Sequence, residues 1–99
     1  MNFQSIILFL AASLAFVVYA QAGTCTIFYS GATRHQTGNT SGCYGIDESD
    51  IVNDARTDVK GTCYTFYSDY GCKGSIVGQR WCDTSKPGIK GKSVKLECP

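Results

Sequence analysis

The chain is poor in the residues that build most metal and catalytic sites. Its only histidine is His35, and its six cysteines include no C-x-x-C pair. Zinc sites need several Cys or His ligands at short, recognisable spacings, so the pattern argues against zinc. His35 stands in a polar turn with no nucleophile at a catalytic spacing, which predicts a solvent-exposed loop histidine. The sequence therefore predicts no enzyme and no cofactor.

The chain also lacks a large net charge of either sign. The formal net charge is only +1, without the strong basic excess expected of a membrane-lytic peptide. The basic residues are not interleaved with exposed aromatic residues beyond Trp81, which argues against a nucleic-acid partner.

Residues 1–22 have the pattern of a signal peptide. Residues 6–20 are an apolar run, and Ala20-Gln21-Ala22 places small residues where a signal peptidase cuts. Cleavage after Ala22 would make the protein secreted and extracellular. The alternative is a membrane anchor, for which the run is short.

Residues 23–99 contain all the cysteines and predict a disulfide-stapled domain. A chain this short buries too little apolar surface to be stable by packing alone. An even cysteine count in an exported chain predicts three bridges, each worth roughly 2 to 4 kcal/mol. The cysteines concerned are Cys25, Cys43, Cys63, Cys72, Cys82 and Cys98.

Alternating side chains predict β-strands. In residues 62–77, Tyr64 and Phe66 alternate with Cys63 and Thr65 before a glycine-containing turn and a second strand. The closing segment alternates apolar residues with Lys95 and Glu97, as a half-buried last strand does.

Residues 24–31 and 62–69 are identical in five of eight positions, which indicates a weak internal repeat. Chance similarity between two aromatic strands is the alternative. Each half, about 23–60 and 61–99, is too small to be a domain. We therefore expect a single domain in which both halves share one core as a two-sheet sandwich.

The aromatic strands, the glycine turns and the closing strand resemble the Greek-key motif of the βγ-crystallins. More narrowly, the chain resembles the macadamia antimicrobial peptide family, a plant defence group with a single βγ-crystallin-like domain and three disulfides. The resemblance implies an all-β, two-sheet Greek-key sandwich. The matching segments are residues 26–31, 41–46, 66–74 and 92–98, together with Cys82.

The resemblance also implies one disulfide, between Cys43 and Cys72. The family places its two unmatched cysteines where this chain has Ala32 and Ser41.

The other pairs rest on strand geometry. Cys63 opens a predicted strand and Cys98 ends one, and the first and fourth strands of a Greek key are antiparallel neighbours. This predicts a Cys63–Cys98 bridge and leaves Cys25 to pair with Cys82. Six cysteines allow about fifteen connectivities.

Charge is distributed unevenly despite the near-neutral total. Residues 47–58 are mainly acidic and residues 73–95 mainly basic. A basic face there would dock on anionic lipid, wall polysaccharide or an acidic protein, and a Trp beside an Arg is typical of a binding hot spot. The alternatives are a solvated face and a Trp81 that fills the core. The candidate binding residues are Arg80, Trp81, Lys86, Lys90, Lys92 and Lys95.

Two further sites are suggested by short patterns. Asn53, Asp54 and Thr57 match part of the calcium loop of βγ-crystallins, although residues 88–93 in the second half carry no carboxylate. An acidic turn capped by Asn and Asp side chains is the alternative. Asn39 opens an N-glycosylation sequon, where a bare surface loop is equally consistent.

The leading functional hypothesis is a secreted, monomeric defence protein that acts on microbial cells or walls, as the family resemblance implies. The alternatives are an extracellular binding module, such as a protease inhibitor or a host-directed effector, and a passive structural protein.

Processing and redox state are directly testable. We expect the secreted protein to begin at Gly23 and to have no free thiol. Intact mass spectrometry before and after iodoacetamide treatment without reductant checks both points. Retention of residues 1–22, or any added alkyl group, would contradict the prediction.

Overall fold

The computed structural model describes residues 23–99, which form an all-β domain. The predicted signal peptide and its cleavage site lie outside the described residues. No helix in the described part is long and apolar enough to cross a membrane. The strands are β1 (Ile27–Ser30), β2 (Arg34–Thr37), β3 (Gly42–Gly45), β4 (Asp54–Thr57), β5 (Cys63–Asp69), β6 (Lys73–Cys82) and β7 (Ser93–Glu97).

These strands form two antiparallel sheets. One has three strands in the order β2-β1-β4, and the other has four in the order β3-β7-β5-β6. The prediction of an all-β, two-sheet, disulfide-bonded architecture is confirmed. Of the two edge strands of the larger sheet, β6 is mostly exposed, and β3 alternates between half-buried and exposed residues.

The two halves of the chain exchange segments between the sheets. Strand β3 comes from the first half but pairs with β7, which comes from the second. In return, two isolated bridges join the second half to the three-stranded sheet: Ser85 pairs with Ala55 of β4, and Ile89 pairs with Val52 just before β4. The four-stranded sheet therefore combines strands of both halves, whereas the three-stranded sheet consists of first-half strands with bridges from the second half at its edge.

A single core lies between the sheets, and it draws on both halves. Tyr64 is fully buried, and its hydroxyl donates to the carbonyl of Asp83 at 3.1 Å and lies 2.6 Å from Oγ of Ser85. These contacts satisfy a polar group that would otherwise be costly to bury. Burial raises the pKa of Tyr64. The other large core residues are Ile27, Tyr29, Val52, Phe66, Val94 and Leu96.

Residues that the internal repeat aligns do not occupy equivalent buried positions in the two halves. It aligns Phe28 with Phe66, but Phe28 is on the outer face of its sheet whereas Phe66 is fully buried. In the first half the buried positions are Ile27 and Tyr29 instead. Because side chains alternate along a strand, an offset of one residue exchanges the faces. The halves share a core, but the matched residues are not equivalent within it.

All six cysteines are paired. The bridge between Cys43 and Cys72 forms as the resemblance implied, with 5.9 Å between the Cα atoms. It links the edge strand β3 to the turn between β5 and β6.

The other two predicted pairs are wrong. Strands β5 and β7 are antiparallel neighbours as expected, but Cys63 lies opposite Glu97 on the outer face. Cys98 follows on the opposite, inner face, where it packs against the core with Cys25. The structure therefore pairs Cys25 with Cys98 and leaves Cys63 facing Cys82 across β5 and β6, with 4.0 Å between their Cα atoms.

The two bridges should differ in their effect on stability. Cys25–Cys98 spans 73 residues and Cys63–Cys82 spans 19. Loop-closure entropy alone favours the longer bridge by about 1 kcal/mol. We expect the double variant C25A/C98A to lose at least that much more free energy of unfolding than C63A/C82A, as measured by guanidinium denaturation. An equal loss, or a larger loss in C63A/C82A, would contradict the expectation.

Candidate binding surfaces

Arg80, one of the predicted binding residues, already has an internal partner. Its Nε lies 3.1 Å and its Nη2 3.3 Å from the carboxylate oxygens of Glu97, a two-point ion pair. The hydrogen bond from Arg80 lowers the pKa of Glu97. The pair is exposed and adds little stability, but it engages two guanidinium nitrogens and places a negative charge beside the positive one.

Trp81 is half-buried and packs against the core. It lies opposite Tyr64 on the inner face of β5 and β6, stacked at 6.4 Å between ring centroids, and meets Phe66 edge-on at 5.9 Å. The indole also covers Gly78, where a side chain would collide with the ring. The interpretation of Trp81 as a core residue is therefore the one that the geometry supports.

A different aromatic residue accompanies the basic side chains at the surface. Tyr70, in the turn after β5, is 57% exposed, and Nζ of Lys92 lies 5.0 Å from its ring centroid. The Tyr70 hydroxyl donates to the carboxylate of Glu48, and this contact raises the pKa of Tyr70. Lys90 and Ser68 complete a shallow depression with Glu48 and Lys92.

We call Tyr70, Lys90 and Lys92 the Tyr70 tip. Sequence analysis missed Tyr70, although a large aromatic residue in an Asp-Tyr-Gly turn is a signal for exposure, because turns run over the surface.

The predicted basic set does not form one face. Lys86 lies beside Ser85, which bridges to Ala55 at the edge of the three-stranded sheet. Lys95 lies on β7 of the other sheet, between Cys43 and Thr65 on the neighbouring strands. Lys90 and Lys92 line one depression, and Lys92 also lies over the exposed ring of Tyr70.

Within the acidic segment, Asp50 has a structural role. Its Oδ1 accepts hydrogen bonds from the backbone of Ala32 and Ile51 at 2.9 Å, and its Oδ2 accepts one from the backbone of Thr33. The amide of Ala32, followed by the side chain of His35, holds the pKa of Asp50 well below its usual range. The carboxylate thus organises the turn between β1 and β2.

His35 is not the exposed loop histidine that the sequence predicted. It lies on β2, is 19% exposed, and stacks on Tyr29 with 4.9 Å between ring centroids. Its Nε2 lies 3.0 Å from Oδ2 of Asp50 and 2.8 Å from Oγ1 of Thr33. A catalytic relay needs the two partners on different ring nitrogens. Here both contact the same nitrogen, so the cluster braces the turn.

The calcium candidates do not converge. Asp54 is on the outer face of β4, whereas Thr57 is on the inner side and donates its hydroxyl proton to the carbonyl of Val59. Asn53 is exposed, and its backbone amide donates to Ser30. In residues 23–99, no three His, Cys, Asp or Glu side chains are grouped as metal ligands.

Asn39, the glycosylation candidate, is exposed in the turn before β3. Its carbonyl accepts a hydrogen bond from Cys25 at 3.0 Å, while its side chain remains on the surface. The hydroxyl of Ser41, the third sequon residue, accepts a hydrogen bond from Cys98 at 2.8 Å.

A cleft of about 730 Å³ covers the outer face of the three-stranded sheet. Phe28 lies at its centre, and Cζ of Arg56 is 4.5 Å from the ring centroid. Outward-facing residues of all three strands surround the ring, and Thr84 lies at one edge. Those strand residues are Ser30, Arg34, Gln36, Asp54 and Arg56. Sequence analysis missed this cleft, because its residues come from three separated segments.

Comparisons with protein-family models, curated proteins and solved structures found no match to this chain. The functional argument therefore rests on the residues and surfaces described above.

The role of Asp50 predicts a pH effect. A folded-state pKa below the ordinary value of 3.8 means that the carboxylate stabilises the fold above that pH, and that the contribution disappears as the pH falls. We expect D50N to be less stable than wild type near neutral pH, with the difference shrinking in strong acid. Urea denaturation across the acid range measures this.

D54N is the matched control, since Asp54 is also on the surface of the three-stranded sheet but accepts no side-chain hydrogen bond within residues 23–99. Its stability should run parallel to that of wild type at every pH. A D50N deficit that stays constant into strong acid would refute the assigned role of Asp50.

Proposed function

We propose that this is a secreted defence protein that binds anionic microbial surfaces through the Tyr70 tip. The observation that carries the proposal is an exposed aromatic ring with an ammonium group over its face. Such a pair can insert an apolar ring into a microbial surface and present a positive charge to it at the same point.

The charge at the tip is available to a partner. Within the described residues, neither Lys90 nor Lys92 has a carboxylate oxygen within 4.0 Å. Lysine attracts an anionic surface over roughly a Debye length, about 8 Å at physiological salt. Binding at the tip should therefore weaken as salt concentration rises.

The bridges support action outside the cell. Three disulfides in so short a domain are typical of oxidising compartments and of secreted proteins. The Cys43–Cys72 bridge also holds the residue two positions after Tyr70, which restrains the turn. Pre-organisation of this kind lowers the entropy cost of binding.

For the fold, we propose a Greek-key sandwich of the βγ-crystallin type, similar to the macadamia antimicrobial peptides. The exchange of β3 and the Ser85–Ile89 segment between the halves supports this proposal. Gly74 supports it as well, since a side chain there would meet Oγ of Ser68 at 2.5 Å. The chain departs from that family in using Cys25 as the partner of Cys98.

The double variant K90Q/K92Q tests the proposed function. We expect the oxidised secreted protein to inhibit microbial growth at low salt and to bind vesicles containing phosphatidylglycerol. The variant should remain folded but lose most of both activities, since it removes both charges of the tip. Growth curves and vesicle co-sedimentation provide the measurements.

K60Q/K86Q is the matched control because it changes net charge by the same amount away from the tip. It should retain nearly full activity. Equal loss in both double variants would show a general charge effect and overturn the tip as the binding surface. Absence of growth inhibition together with tight, stoichiometric inhibition in a protease panel would instead establish the inhibitor alternative.

A further inference from the structure

The cleft on the three-stranded sheet is arranged in two rows across the strands. One row places Phe28 on β1 between Gln36 on β2 and Arg56 on β4. The next places Ser30 between Arg34 and Asp54. Each row combines forked side chains that can form two parallel hydrogen bonds, as guanidinium, amide and carboxylate groups do.

The two arginines lie diagonally across the central strand. Two strand spacings and two residues along the strand put their Cβ atoms roughly 12 Å apart. Within residues 23–99, neither guanidinium has a carboxylate oxygen within 4.0 Å. At that separation, two anionic groups spaced along one chain ligand can each meet one guanidinium.

The position of Phe28 in the cleft indicates which class of ligand the cleft can bind. Phe28 is half-buried in the floor of the cleft, and Arg56 stacks against its ring. An exposed ring edge or face packs against the C–H surface of a sugar ring, while surrounding guanidinium, amide and carboxylate groups form hydrogen bonds with its hydroxyl groups. Asp54, on the same face, accepts hydroxyl bonds and repels a densely charged chain.

We infer that this cleft binds an acidic oligosaccharide whose charges are sugar carboxylates. Arg34 and Arg56 each bind one carboxylate in a two-point geometry, and the part of the Phe28 ring that Arg56 does not cover contacts the sugar ring between them. The site goes beyond the proposed function, since it uses different residues on the other sheet. An experiment can therefore refute either proposed site without refuting the other.

Titration of the oxidised secreted protein with oligogalacturonate is the test. Amide NMR shifts in the wild type should map to β1, β2 and β4, and calorimetry should give an affinity that falls with added salt. R56Q and F28L should each weaken binding at least tenfold. Mapping in the wild type needs no variant, so it decides the question even if a variant misfolds.

R80Q serves as the charge-matched control, because it removes one arginine from the four-stranded sheet. R80Q and K90Q/K92Q should both bind as wild type does. Shifts confined to the Tyr70 tip, equal binding of a neutral cello-oligosaccharide, or no binding at millimolar concentration would each overturn the inference.

Discussion

The structure depends on burying the inner faces of two small sheets against each other. Neither half of the chain has enough apolar residues to close a core, and both contribute to the one that forms, from Ile27 and Val52 in the first half to Phe66 and Leu96 in the second. The exchange of β3 and of the Ser85–Ile89 segment follows this requirement, since it ties each sheet to both halves. The Cys25–Cys98 bridge then joins the first and last parts of the domain at the inner side.

That requirement also decides which residues remain for function. Trp81 closes the edge of the core, Arg80 is paired with Glu97, and His35 braces a turn with Asp50. These three residues, which the sequence singled out as candidates for binding or catalysis, therefore have structural roles. The two proposed binding surfaces, the Tyr70 tip and the outer face of the three-stranded sheet, carry lysine and arginine side chains that have no carboxylate oxygen within 4.0 Å in residues 23–99.

Both surfaces are held by short, constrained segments. The turn that carries Tyr70 is linked through Cys72 to β3, and the outer cleft rests on three hydrogen-bonded strands. Sites on rigid elements bind with a smaller loss of conformational entropy than sites on mobile loops. The two proposed sites use separate residues, so a ligand with several anionic groups would meet two independent contacts, each sensitive to salt.

The sequence by itself determined the β-class, the complete pairing of the cysteines and the alternation that buries Tyr64, Phe66, Val94 and Leu96, since these follow from local periodicity and composition. Only the tertiary structure decided which cysteines meet, because adjacent strands bring together residues of one face, and Cys63 and Cys98 belong to opposite faces. Tertiary structure likewise assembled Phe28, Arg34 and Arg56 into one cleft and placed Lys92 over Tyr70. Contacts between distant segments depend on strand order and register, which a single sequence does not encode in any local pattern.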